Sequence, residues 1–195
     1  MAVKNQIWLI RHGETPWTLS GQHTGITDIE LTARGQLMAK AIGRELARRR
    51  FDLILTSPRA RARETCRLSG YGENAAIDDN LQEWDYGAYE GRTSADIKKE
   101  VPNWSLWREG VPGGETSEEV SARVDSVIQR AALCPGDVAL FAHGHVLRVL
   151  AARWVGLPPL GGRYFSLDAG SIGILGQEHD LRVISQWNFV PRLER

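Results

Sequence analysis

The sequence predicts one domain over residues 1–195, with an α/β fold built as a three-layer α/β/α sandwich around a mostly parallel central sheet. Two observations indicate this fold. Short apolar segments alternate along the chain with longer segments of helical periodicity, which is typical of parallel βαβ units. Two strand-like segments then follow one another near the C-terminal end, and they favour a hairpin that adds antiparallel edge strands.

Three buried strands are predicted over residues 7–10, 53–55 and 138–141, because each segment is apolar and too short to form a helix. The tail, residues 171–187, is predicted to form the two antiparallel strands, with a turn at His179 and Asp180.

A long helix is predicted over residues 33–49. Thr32 is a suitable N-cap, and one face of the helix carries the apolar residues Leu37, Ala41, Ile42 and Leu46. The three arginines at 48–50 close this helix, where the helix dipole favours positive charge.

Four further helices are predicted. A short helix follows Pro58 and ends at Leu68, and a second short helix begins at the capping pair Thr93 and Asp96. The other two helices cover residues 117–133 and 146–155. The segments 15–31 and 81–91 show little periodicity and are predicted to be loops, and a turn is predicted at residues 112–114.

The composition excludes several classes of partner. Lys and Arg balance Asp and Glu, so no overall basic field attracts nucleic acid or membranes. Residues 1–6 lack the apolar stretch of a signal peptide, and no segment approaches the length of a membrane span. Cys66 and Cys134 have neither metal-ligand spacing nor the pattern of a disulfide framework, which fits a reducing cytoplasm.

The first predicted strand ends in Arg11, His12 and Gly13, a combination suited to phosphoryl transfer. A neutral imidazole is a nucleophile, an arginine fork matches phosphate oxygens, and glycine lets backbone amides approach an anion. Taken alone, such a tripeptide is also common on surface turns.

Polar clusters also follow the other two buried strands: residues 56–63 after the second, and His143, Gly144 and His145 after the third. If the strands are parallel neighbours, all three clusters lie at one edge of the sheet. A cluster of histidines and arginines in one small volume is costly unless it is neutralised, and a bound dianion is the expected partner.

The second cluster contains Arg59, Arg61 and Arg63, which cannot all point inward. Positions 59 and 63 share a helix face and 61 does not, so one inward and two solvated arginines are expected. Spacing leaves open which arginine is the inward one.

A proton donor for the leaving group is expected in the acidic, aromatic segment 81–91. Its candidates are Glu83, Asp85 and Glu90, beside aromatic residues that could exclude water. Standing alone, this segment would equally suit an acidic surface loop.

These segments resemble the motifs of the histidine phosphatase superfamily, in its phosphoglycerate mutase-like branch. The matching segments, in family order, are RHGETPW (11–17), TSPRARARET (56–65), EWDYGAYEG (83–91), GGET (113–116) and AHGH (142–145). The resemblance spans residues 7–148, with LDAGSIGIL (167–175) also similar, and it implies a phosphoglycerate mutase-like fold. No chemical role follows for GGET.

The resemblance implies roles position by position. His12 would be the phosphorylated nucleophile, and Glu83 the general acid that later activates water. Arg11, Arg61, His143 and Gly144 would bind the transferred phosphate, so the resemblance selects Arg61 as the inward arginine. Arg59 stands where the family usually has an apolar residue, and its role stays open.

One position departs from the family pattern. Thr18 stands where the family often has asparagine after the tryptophan, so this phosphate contact is expected to be weaker or rearranged. The non-phosphate part of the substrate is expected to meet the polar residues Gln22, Thr24, Gly25 and Tyr86. The roles of His23 and His145, at the substrate or away from it, remain open.

The closest similarity is to small sedoheptulose-bisphosphatase-type and broad-specificity acid phosphatases. It implies a metal-independent hydrolase of small phosphorylated metabolites such as sugar phosphates, without cofactor, nucleic-acid or membrane partners, and leaves a homo-oligomer open. A phosphoglycerate mutase is the second hypothesis. Mutases carry an arginine pair where this chain has Trp104, Trp107 and Arg108. A non-catalytic module that binds phosphorylated ligands is the third.

Overall fold

A computed structural model describes residues 5–193, and its sheet has six strands in the order β3-β2-β4-β1-β5-β6. The strands are β1 (Ile7–Arg11), β2 (Leu53–Thr56), β3 (Ala76–Ile77), β4 (Val138–Ala142), β5 (Ile172–Glu178) and β6 (Leu181–Phe189).

The strands β3, β2, β4 and β1 run parallel, β5 pairs antiparallel with β1, and β6 pairs antiparallel with β5. The predicted mostly parallel sheet with an antiparallel hairpin at its edge is therefore confirmed. The strand β4 lies between β1 and β2, with Arg11 opposite Ala142 and Thr56 opposite Phe141. Because of this register, the three strands end at the same level.

Helices connect and cover the strands. They are α1 (Pro16–Ser20), α2 (Ala33–Leu46), α3 (Ala60–Leu68), α4 (Ser94–Glu100), α5 (Leu106–Glu109), α6 (Ser117–Ala132) and α7 (Gly144–Trp154). Short 3-10 turns cover Gly72–Asn74, Asp79–Leu81, Gly87–Tyr89 and Pro159–Tyr164. Threonine N-caps start α2, α4 and α6, since the hydroxyls of Thr32, Thr93 and Thr116 each accept a backbone N–H of the first turn.

The sheet separates two apolar layers because successive strand side chains point to opposite faces. In β1, Ile7 and Leu9 pack in a cluster with residues of α6 and α7. Trp8 and Ile10 pack on the other face, in a cluster with residues of α2 and α3. The buried strands are thus covered on both sides, as expected of a three-layer sandwich.

Several predicted boundaries were wrong. The helix α2 ends at Leu46, so the arginines at 48–50 lie beyond it, and Leu37 is 51% exposed instead of facing the core. The helix α7 begins at Gly144, two residues earlier than predicted. The short elements α1, β3 and α5 were not predicted. Residues 1–4, which carry part of the prediction on the N-terminal segment, lie outside the described residues. Within residues 5–193, no helix combines the length and apolarity needed to cross a membrane.

Two substitutions in α2 test its corrected orientation. Ile42 is fully buried, so Ile42→Ala should lower the free energy of unfolding by about 2–5 kcal/mol, measured by urea denaturation. Leu37→Ala should change it by less than about 0.5 kcal/mol, because the side chain is already in solvent. Equal losses from the two variants would contradict this orientation.

Candidate active site

The three strand ends bring the predicted polar clusters together. His12 follows β1 and its backbone N–H donates to Ala142 O (3.0 Å), while the backbone N–H of Ser57 donates to Phe141 O (2.9 Å). His143 follows β4 directly. The side chains of residues 11, 12, 57 and 143 therefore start from one edge of the sheet, where parallel sheets bind ligands.

The His12 imidazole is held in a defined tautomer. Its Nδ1 lies 2.8 Å from the carbonyl oxygen of Gly13, and because a carbonyl only accepts, Nδ1 carries the proton. Nε2 therefore keeps its lone pair. Burial lowers the pKa of His12 well below its usual value, and the positive charges of Arg61 and Arg11 lower it further. The ring is thus a neutral imidazole with an unprotonated Nε2.

His143 lies beside His12, with 5.2 Å between the two ring centroids. Its Nδ1 accepts from Nε of Arg61 (3.1 Å), so Nε2 carries the proton and donates to the Ser57 hydroxyl (2.7 Å). Burial lowers the pKa of His143 well below its usual value, and the charge of Arg61 lowers it further, as does that of Arg11. It is a neutral hydrogen-bond donor in the site.

Arg61 is the inward arginine. Its side chain is fully buried, and its terminal nitrogens donate to the carbonyl oxygens of Thr27 (2.9 Å), Thr24 (2.9 Å) and Gly25 (3.1 Å). Arg63 is exposed, and the half-buried Arg59 donates to Oε1 of Gln82. One inward arginine is observed, as expected, and Arg63 is solvated, but the prediction that Arg59 is solvated was wrong, because Arg59 packs against the protein and contacts Gln82.

Arg11 keeps a free donor in the site. Its Nη1 donates to Leu167 O, but its Nε is buried and has no hydrogen-bond partner among residues 5–193. A Cβ on Gly144 would lie 3.2 Å from the Arg11 Cζ, so glycine lets the guanidinium pass close to the start of α7. A buried unpaired N–H is costly, and an oxygen atom of a bound ligand would satisfy it.

The Glu83 carboxylate is anchored at the start of α7. Oε1 accepts the backbone N–H groups of Trp84 and Val146, and Oε2 accepts that of His145, all at 2.9 Å. The helix dipole favours a carboxylate at this end. The side chain is almost fully buried (7% exposed), so its oxygens have one well-defined position.

The acidic, aromatic segment 81–91 packs directly on the turn at residues 112–114. A Cβ on Gly87 would lie 2.4 Å from both Gly114 N and Pro112 O, and Gly87 has a φ of +47°. The backbone N–H of Ala88 donates to Pro112 O at 2.9 Å. Only glycine permits this backbone contact, which joins two of the predicted motifs.

The predicted substrate residues all lie in the segments that cover Arg61 and Glu83. Gln22 donates to Gly91 O, Thr24 presents its carbonyl to Arg61, and the Gly25 N–H donates to the Glu90 carboxylate. The Tyr86 hydroxyl lies 2.6 Å from Nδ1 of His145. Each of these four residues therefore has a partner within the protein in this structure.

Thr18 lies in the capping box of α1. Its hydroxyl donates to Thr15 O (2.8 Å) and accepts the Thr15 N–H (2.8 Å), so both of its functions serve the helix. A contact between this hydroxyl and a phosphate would compete with the cap.

A cluster of aromatic and histidine rings packs beside the segment that carries Glu83. His23 contacts the rings of Tyr86 and Trp104 at centroid distances of 4.8 and 5.4 Å, and His145 contacts Trp107 at 5.4 Å. Burial lowers the pKa of His145 well below its usual value and that of His23 below its usual value. These histidines are neutral members of an apolar wall.

Two functional contacts were not found from the sequence. The Ser57 hydroxyl accepts from His143, and Thr65 Oγ1 accepts the backbone N–H of Gly13 (3.1 Å). The position of Ser57 at the end of a buried strand was the available signal. Within the described residues 5–193, no group of three or more His, Cys, Asp or Glu side chains could hold a metal ion.

Comparisons with known proteins agree with this geometry. The sequence profile of the histidine phosphatase superfamily (branch 1) matches residues 7–190. An acid phosphatase of Mycobacterium tuberculosis is 40% identical over 190 residues, which are 95% of this chain and 93% of that protein. The sedoheptulose 1,7-bisphosphatase of Saccharomyces cerevisiae is 36% identical, over 76% of this chain and 67% of that protein. A solved structure of a Mycobacterium tuberculosis open reading frame superposes with a TM-score of 0.91 at 38% identity, covering 95% of this chain and 98% of that one.

The buried neutral histidines predict a pH-dependent stability. His12, His143 and His145 have pKa values lowered in the folded state, so between those values and about 6.5 the unfolded chain binds more protons. The free energy of unfolding should therefore fall as the pH drops below about 6.5, by at most about 1.4 kcal/mol per pH unit for each histidine.

Urea denaturation between pH 8 and pH 5.5 measures this effect. The variant His143→Gln keeps a neutral hydrogen-bonding side chain that does not titrate, and it should show a shallower pH dependence than the parent. An unfolding free energy that stays constant over this range in the parent would contradict the prediction.

Proposed function

Since the chain belongs to the histidine phosphatase superfamily (branch 1), we propose that it is a metal-independent phosphatase of small phosphate monoesters. Sugar phosphates and related metabolites are its proposed substrates, and phosphohistidine is its proposed intermediate. The observation that carries this proposal is the neutral His12, whose unprotonated Nε2 lies among the charges of Arg61 and Arg11.

In the first step, Nε2 of His12 attacks phosphorus. The N–P bond forms while the ester P–O bond breaks, and the leaving oxygen takes a proton from Glu83. Arg11, Arg61 and His143 stabilise the charge on the phosphoryl oxygens during transfer.

In the second step, water attacks the phosphohistidine. Glu83 takes a proton from the water as the new O–P bond forms and the N–P bond breaks, which regenerates the neutral imidazole. Phosphate then leaves. The two arginines and the Nε2–H of His143 supply the positive field that a metal ion provides in other phosphoryl-transfer sites.

Two relatives support a phosphatase, since they are named acid phosphatase and sedoheptulose 1,7-bisphosphatase. The region between the acid segment and the turn at 112–114 also favours hydrolysis over mutase activity. Arg108 there is exposed and donates to Asn103 O, while Trp104 and Trp107 are buried. A mutase needs cationic groups that hold its substrate carboxylate and second phosphate, and this segment presents aromatic rings instead.

The function is tested by a phosphate-release screen over sugar phosphates, aryl phosphates and phosphoglycerates, with and without a chelator. We expect release from several small monoesters, undiminished by the chelator. Turnover of phosphoglycerates that requires 2,3-bisphosphoglycerate and releases little phosphate would establish the mutase instead. Binding of phosphorylated ligands with no transfer to the protein would establish a non-catalytic module.

Substitutions of the two reacting residues test the mechanism. His12→Ala should abolish turnover and the labelling of the protein by a radioactive phosphate donor, because no other group forms the covalent intermediate. Glu83→Gln should lower kcat by about 10²–10⁴-fold, as expected for a lost general acid. His179→Asn, at the exposed turn between β5 and β6, is the matched histidine control and should keep parental activity. Full activity of His12→Ala would refute the mechanism.

Substitution of Gln22 tests the proposed substrate contacts. If Gln22 meets the sugar part of the substrate, Gln22→Ala should lower kcat/KM for sugar phosphates more than for aryl phosphates. An equal ratio of the two rates in Gln22→Ala and the parent would count against this role.

A further inference from the structure

A largely buried ion pair contacts the backbone around Glu83, the proposed general acid. Arg123 on α6 binds Glu115, the glutamate of the GGET segment, through Nε–Oε1 (2.8 Å) and Nη2–Oε2 (2.9 Å). Their side chains are only 14% and 25% exposed. The geometry points to a role for this pair: we propose that Arg123 and Glu115 are positioning residues that fix the backbone on both sides of Glu83.

Arg123 holds the chain on the N-terminal side of the acid. Besides its two bonds to Glu115, it donates to the carbonyl oxygens of Asn80 (2.8 Å), Gln82 (2.7 Å) and Glu83 (3.2 Å). All five N–H donors of its guanidinium are therefore used. Three of them fix the backbone that leads into Glu83, so this segment cannot move independently of α6.

Glu115 holds the chain on the C-terminal side of the acid. Its Oε2 accepts the backbone N–H of Asp85 (2.9 Å), and its own backbone N–H donates to Asp85 O (3.1 Å). Its carbonyl oxygen accepts the Trp84 indole N–H (2.8 Å). One carboxylate thus links the segment after Glu83 to the same guanidinium that holds the segment before it.

The pair and α7 hold different parts of Glu83. The carboxylate of Glu83 is fixed by the first turn of α7, while its backbone is fixed by Arg123 and Glu115. A general acid must lie within hydrogen-bond reach of the leaving oxygen, and small displacements reduce its effect. Removing the backbone support should therefore misplace the proton donor, and it breaks none of the hydrogen bonds described above for His12, Arg11, Arg61 or His143.

This inference rests on the proposed function, and the leaving group gives the test. An alkyl phosphate such as glycerol 3-phosphate needs a proton on its departing oxygen, whereas 4-nitrophenyl phosphate has a leaving group stable enough to depart without one. Loss of general-acid catalysis therefore slows the first ester much more than the second. General unfolding or loosening of the protein slows both alike.

The experiment measures the release of the alcohol or phenol in a single turnover by Arg123→Met. We expect at least a ~10-fold loss with glycerol 3-phosphate and less than ~3-fold with 4-nitrophenyl phosphate, on the scale of a partly lost general acid. Arg123→Lys should recover part of the loss. Glu115→Gln is a second variant, which keeps the shape of the side chain and serves if Arg123→Met does not fold. It should also lose more activity with glycerol 3-phosphate than with 4-nitrophenyl phosphate.

The matched control is Arg153→Met. Arg153 binds Asp125 of α6 through the same two-bond geometry (3.0 and 3.0 Å), but its partners lie away from the acid segment. This variant should show no difference between the two esters. In the Glu83→Gln background, Arg123→Met should produce no further loss, because the two residues act through one group.

Two outcomes would overturn the inference: equal slowing of both esters by Arg123→Met, or the same additional loss in the Glu83→Gln background. Failure of the proposed function is distinguishable from these. In that case Glu83→Gln itself would slow both esters alike, which would refute the acid role of Glu83 and with it the positioning role.

Discussion

The site depends on one buried cation, the guanidinium of Arg61. Its hydrogen-bond partners in the described residues are neutral: Nδ1 of His143 and three backbone carbonyl oxygens. These four acceptors satisfy four of its five N–H donors but do not cancel its charge, and that charge helps to lower the pKa of both His12 and His143. A buried cation of this kind has a large electrostatic cost, so an incoming dianion gains from a field that folding has already established.

The sheet edge that carries the candidate active site could be predicted from the sequence because it depends on local patterns. Short apolar strands ending in polar residues indicated where His12 and His143 would meet, and the sheet register confirms that placement. The choice of Arg61 needed the family resemblance, since helical spacing relates Arg59 to Arg63 without saying which face turns inward. Burial depends on where α3 lies against the sheet, and that is a tertiary property.

The sequence was least informative where structure is short or is decided by distant contacts. The strand β3 has two residues and α5 has four, too few to show a period. Leu37 has the spacing of a core residue, yet α2 presents it to solvent. The GGET segment matched a motif without suggesting any chemistry. Its glutamate contacts Trp84 and Asp85, about thirty positions earlier in the chain, and Arg123, eight positions later, and no local sequence pattern predicts such contacts.

The way in which the segment 22–27 is held has a consequence for the evolution of substrate range. Arg61 binds only carbonyl oxygens of this segment, and Glu90 binds only its amide groups, at Gly25 and Thr27. Both residues bind main-chain atoms, so substitution of the Thr24 or Thr27 side chain removes none of these hydrogen bonds. Such an arrangement would let substitutions of these side chains alter contacts with the rest of a substrate while the main-chain contacts that fix Arg61, the proposed phosphate ligand, stay in place.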